Sequence, residues 1–217
     1  MYEKGLSHSS VRCAQRILSV ALEHARKYKY IESNPARDII TKFGKQGKTL
    51  PPYTIFQMQQ LISYTLGTFW EMPIMLSGLC GLRLGEVLGL RWQNVDLEKG
   101  VFNVVEQLPY KLPADTKTLR EMVPVKSEER EPYITDVARE FFERQIVMQS
   151  KRKLFSELSG TPYYDNDLVV AKEDGSPCQR DRVSANFAQM IRRSGMAHIR
   201  FHDLRHPYVK PTTKIFN

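Results

Sequence analysis

The stretch GLCGLRLGEVLGLRWQNVDL, residues 78–97, places an arginine, Arg83, between two glycine-leucine pairs in an otherwise apolar run, with Glu86 three residues later. A guanidinium carried into a core costs desolvation unless a negative group meets it. Either a carboxylate or an anionic ligand is therefore expected at Arg83, and the Glu86 spacing offers the first.

Upstream, Ala14, Ile17, Leu18, Ala21 and Ala25 share one helical face, and Arg12, Arg16, Glu23, Arg26 and Lys27 share the opposite one. The spacing predicts an amphipathic helix with a basic outer side from Ser9 to Tyr30. It should end near Asn34, because the residue before Pro35 is disfavoured in a helix. Residues 41–52, TKFGKQGKTLPP, hold Lys42, Lys45 and Lys48, two glycines, two prolines and no acid, which reads as a linker. Those three lysines can follow a phosphate backbone or simply solvate a spacer. Thr54 and Gln57 have capping-box spacing, with Met58, Leu61 and Ile62 as the buried stripe behind them.

Downstream, VFNVVEQ and EMVPV are rich in strand formers and predict a small antiparallel sheet. Helical spacing returns through Val137, Phe141, Phe142 and Ile146. DLVV reads as a short strand, and Val183, Phe187, Met190 and Ile191 face inward on a last helix stopped by Gly195. The expected fold is mainly α with a small antiparallel β-sheet, an α+β arrangement.

The 217 residues suffice for one full domain and part of a second. Lysine and arginine number 32 against 24 acids, and the net charge of +8 favours a polyanionic partner. Cys13, Cys80 and Cys178 are far apart and lack CxxC spacing, so they read as reduced thiols with no metal cluster. Apolar runs fall short of a membrane span and Met1 is not followed by a signal segment, so a cytoplasmic protein without membrane partners is expected.

More than a hundred residues after Arg83 comes IRFHDLRHP, residues 199–207, where His202 and Arg205 are three apart and can reach one anion from the same helical side. The two motifs in this order resemble the tyrosine recombinases, the phage integrase family, over roughly residues 5 to 206. The resemblance implies a two-part DNA clamp: part of a helical core-binding domain at 1–40, a basic linker at 41–52 and a catalytic domain at 53–217. It implies DNA cleavage by a tyrosine that forms a 3′-phosphotyrosine link and frees a 5′-hydroxyl, without metal or other cofactor. Double-stranded DNA and other recombinase protomers are the implied partners.

In that resemblance Arg83 and Arg205 are the guanidiniums that meet the phosphate, suited by their planar forks of donors. His202 assists proton transfer, Glu86 steadies the arginines, and His206 matches a position near the phosphate or serves packing behind it. Lys126, in PVKSEEREPYIT, matches the strand lysine that protonates the leaving oxygen, with Lys117 and Lys111 as alternatives. Arg12 and Arg16 are candidate phosphate contacts or an ordinary exposed face. Taken singly, Arg83 with Glu86 also reads as a structural ion pair, and His202 as a core histidine capped by Asp203.

The pattern fails at the end. Only PYVKPTTKIFN follows His206, where the family continues to its nucleophile. Pro207 and Pro211 oppose a continuing helix, and Tyr208 stands too close to Arg205 to be given that role. The reading is a truncated integrase inactive alone, or a non-catalytic DNA-binding remnant.

Overall fold

The computed structural model describes residues 7–37, 51–113, 115–119, 121–125 and 131–205. The chain forms two compact units, Met1–Pro51 and Pro52–Asn217.

The first unit contains α1 (His8–Lys27), whose Ser7 side chain caps the Ser10 N–H. The helix ends in a turn with Lys29 at φ 60°, and Asn34 fastens the following chain by donating to the Ser19 carbonyl at 2.9 Å. Val11 is buried, but Ile17 and Leu18 of the expected apolar face are 65% and 52% exposed. Helical periodicity is thus present without burial of the stripe it marks.

The second unit is built from α2 (Ile55–Thr65), α3 (Glu71–Gly78), α4 (Leu84–Gly89), α5 (Asp136–Ser159) and α6 (Arg180–Ser194). The Thr54–Gln57 capping box starts α2, and Met58, Leu61 and Ile62 are buried. All eight residues of α3 are buried, and apart from Glu71 and Ser77 they are apolar or glycine. Pro73 falls in its first turn, where a missing N–H costs nothing. The buried carboxylate of Glu71 accepts from Arg144 Nε at 2.6 Å and from the Gly67 N–H at 2.7 Å. Phe187 joins α6 to this core, edge-on to Trp70 at 5.6 Å and to Phe201 at 5.2 Å between centroids.

The β structure is two antiparallel two-stranded ladders. β1 (Val95–Asp96) pairs with β2 (Val101–Phe102), and β3 (Glu106–Gln107) pairs with β4 (Val123–Pro124). VFNVVEQ is divided between β2, whose ladder with β1 continues through the Asn103 N–H on the Asn94 carbonyl at 2.8 Å, and β3, which pairs with β4 instead. DLVV is not a strand: Leu168 makes a single bridge to Arg91, and the Val169 N–H donates to the Leu90 carbonyl at 2.9 Å.

Ile146 is also corrected, being 40% exposed. The buried stripe of α5 runs through Ala138, Phe141, Phe142, Gln145 and Gln149. The two glutamines go inward because their amides serve backbone carbonyls of the 168–169 segment, Gln145 at Val169 (2.6 Å) and Gln149 at Leu168 (2.9 Å). Gln149 accepts in turn from the Trp92 indole N–H at 2.8 Å. A buried amide with its donors and acceptor engaged is as compatible with a core as an isoleucine.

The ladder β3–β4 is pressed directly on α4. The Leu108 N–H donates to the Gly85 carbonyl at 2.8 Å, and a Cβ at Gly89 would lie 2.5 Å from the Leu108 nitrogen and 2.8 Å from the Gln107 backbone. Backbone cannot yield as a side-chain tip can. Gly89→Ala should therefore destabilise the protein by about 1–3 kcal/mol, as overpacking does, measured as a shift in the urea midpoint at constant slope.

Candidate phosphate-binding site

The chain leaves α3 through Gly81, at φ 70°, a backbone angle that favours glycine. The turn is closed by the Leu82 N–H on the Leu76 carbonyl at 3.0 Å. Arg83 then stands extended as the residue before α4. The Glu86 carboxylate folds back onto it, one oxygen accepting from the Arg83 backbone N–H at 2.8 Å and the other from Nη1 at 2.9 Å. The Glu86 side chain is 1% exposed and that of Arg83 is 42% exposed. Arg83 therefore has its carboxylate and still presents guanidinium surface to solvent.

Arg205 ends a 3-10 turn, Phe201–Arg205, that packs against α3. Its Nε donates to the Gly81 carbonyl at 2.7 Å, only two residues before Arg83. Two arginines 122 positions apart in sequence are thus anchored to one turn. His202 lies on the same 3-10 turn and is exposed. It is neither a core histidine nor capped by Asp203, whose buried carboxylate instead takes Arg200 Nε at 2.7 Å and Nη2 at 2.9 Å. Hydrogen bonding from Arg200 holds the Asp203 carboxyl below the usual range.

Arg12 and Arg16 are exposed on α1. Lys42, Lys45, Lys48, Lys126, His206 and Tyr208 lie outside the described residues. Of the alternative lysines, Lys111 is exposed, and Lys117 makes an ion pair with Asp174 at 2.7 Å. Asn166 fixes the backbone there, accepting from the Leu119 N–H at 2.7 Å and donating to the Lys117 carbonyl at 2.9 Å. The spacing of motifs did not reveal Arg180, at the start of α6, whose guanidinium lies over Gly85 and donates to Gln107 Oε1 at 3.3 Å. The glycine at 85 was the one available signal, and glycine alone does not say what approaches it.

Burial pushes the Asp174 carboxyl up, but hydrogen bonds from Lys117 and Ser176 outweigh it and bring it from 3.8 to about 2. A carboxylate lowered on folding stabilises above its unfolded value and loses that contribution as pH falls through the folded one. Unfolding free energy measured against pH should therefore fall between 3.8 and about 2, and Asp174→Asn should flatten that interval.

The Phage integrase family matches residues 54–209. A "Tyrosine recombinase XerC-like" protein of Caldanaerobacter subterraneus subsp. tengcongensis is 22% identical over 231 aligned positions, covering 100% of this chain and 57% of the relative. The "ICEBs1 integrase" of Bacillus subtilis is 24% identical over 220, covering 96% and 55%. The chain thus spans somewhat over half the length of these curated relatives. Among solved structures, the Tn1549 transposon integrase in complex with transposon right end DNA superposes with a TM-score of 0.74 at 21% identity, covering 95% of this chain and 67% of that one. A lambda integrase dimer bound to a core site gives 0.60 at 14%, covering 91% and 64%. A family match across most of the second unit, including both arginine-bearing motifs, shows that the chain belongs to the phage integrase family.

Proposed function

We propose that the chain binds double-stranded DNA and serves site-specific recombination or integration, with Arg83 and Arg205 as the groups that meet the scissile phosphate. The observation that carries this is the bond from Arg205 Nε to the Gly81 carbonyl, which brings the second guanidinium to the turn that presents the first. Two permanently charged, planar donors fixed near each other suit the non-bridging oxygens of a phosphodiester, whose charge grows as the phosphorus is attacked.

Exposed His202 is available to the same oxygens or to a proton in transfer. Glu86 is the carboxylate that aims Arg83. Lys126 remains our proposed proton donor to the leaving 5′ oxygen. Lys117, the alternative, would first have to leave Asp174, a partner that favours its charged form. The net charge of +8 supports a phosphate-dominated encounter. The DNA-bound integrases and the lambda integrase dimer that share the fold support duplex DNA and further protomers as partners, and recombination on cellular DNA would place the protein in the cytoplasm.

Fluorescence anisotropy with a random-sequence duplex tests the reading. Log affinity should fall linearly with log salt, and Arg83→Ala should weaken binding by about tenfold while reducing the slope by about one contact. Folded protein that fails to bind at low salt, or an Arg83→Ala variant that binds as the parent does, would sink it.

A further inference from the structure

We propose that Arg180 is a positioning residue for Arg83, acting through Gly85 and Glu86; the proposal rests on the reading of Arg83 as a phosphate-binding group. Arg180 begins α6, well after the Arg83 motif and ahead of the Arg205 motif, yet its guanidinium occupies the space a side chain at position 85 would need. A Cβ there would fall within the guanidinium, 2.6 Å from Nη1 and closer still to Cζ and Nη2. Glycine at 85 is therefore the condition for this cation to lie on the first turn of α4, one residue from Glu86.

The contacts of Arg180 extend past α4. Nη2 donates to Oε1 of buried Gln107 on β3, and Gln107 Nε2 donates to the Pro124 carbonyl on β4 at 2.9 Å. The residue thus joins α6, α4 and both strands of the ladder. Its environment is costly: among the described residues Nε is buried with no hydrogen-bond partner. Burial pushes the guanidinium pKa down, and the neighbouring Tyr110 and Glu86 pull it back. Packing alone would be served better by an apolar side chain, since a buried donor without an acceptor carries the full cost of desolvation. What the cation supplies is a positive charge over Gly85, the residue next to buried Glu86, from an element other than the one that carries Arg83. That added charge favours the rotamer in which the carboxylate accepts from both the backbone N–H and the Nη1 of Arg83.

Arg180 and Arg83 therefore act on DNA in series. A double-mutant cycle reads this directly, with anisotropy on a random-sequence duplex at fixed salt and thermal melting of every variant as the control for folding. Arg180→Ala should weaken binding about fivefold to tenfold in the parent background and have little further effect in Arg83→Ala. Arg180→Lys, which keeps the charge but not the planar guanidinium, should recover part of the loss. Effects of Arg180→Ala and Arg83→Ala that multiply would overturn the proposal, since Arg180 would then contact DNA on its own account. So would an Arg180→Ala variant that binds normally while Arg83→Ala does not. If Arg180→Ala does not fold, the cycle is run with Arg180→Gln under the same criteria. Failure of Arg83→Ala itself to weaken binding would refute the phosphate pocket and the positioning role with it, and is separable because Arg83 is scored alone.

Discussion

The carboxylate of Glu86 is the point on which the site turns. It is buried, and a buried anion is tolerated only where donors converge on it. Here the donors are the backbone and side chain of the residue three positions earlier, so a single interaction fixes where α4 begins, extends Arg83 and aims its guanidinium. The surrounding packing serves that arrangement. Gly81 permits the turn before it, Gly85 admits Arg180, and Gly89 admits the backbone of the β3–β4 ladder. A six-residue helix touched so closely on several sides has little room to shift without disturbing the arginine in front of it.

The parts of the fold legible in the sequence were those governed by local rules. The Thr54–Gln57 box, the Gly195 stop at φ 71° and the Arg83–Glu86 pair each depend on residues within a turn of one another. Helices with strong stripes were legible for the same reason. Ile146 and Gln145 show where that reasoning stops: the period of α5 was right, but its buried face included two amides whose partners lie in the 168–169 segment. Hydrophobicity cannot identify an inward glutamine when the carbonyl that justifies it is distant in sequence.

The site divides along the same line. Arg83, Glu86, His202 and Arg205 could be named as candidates from motif order, whereas the bond that brings Arg205 to the Gly81 carbonyl spans 124 positions and has no local signature. Arg180 carries no motif signal in the sequence. Its approach to Gly85 and its bond to Gln107 set it apart from Arg182 and Arg192, which are exposed.

The tether on Arg205 also bears on the entropy of anion capture. A free arginine has several rotatable bonds, and ordering them opposes any contact it makes. With Nε held by a backbone carbonyl at 2.7 Å, the plane of the guanidinium is set by the fold, because the group is conjugated and turns as one piece. Much of that ordering therefore occurs during folding, before an anion arrives. In the proposed role, an arginine so arranged would gain affinity from restriction more than from added contacts, and would capture phosphate at a smaller entropic penalty than a flexible surface arginine.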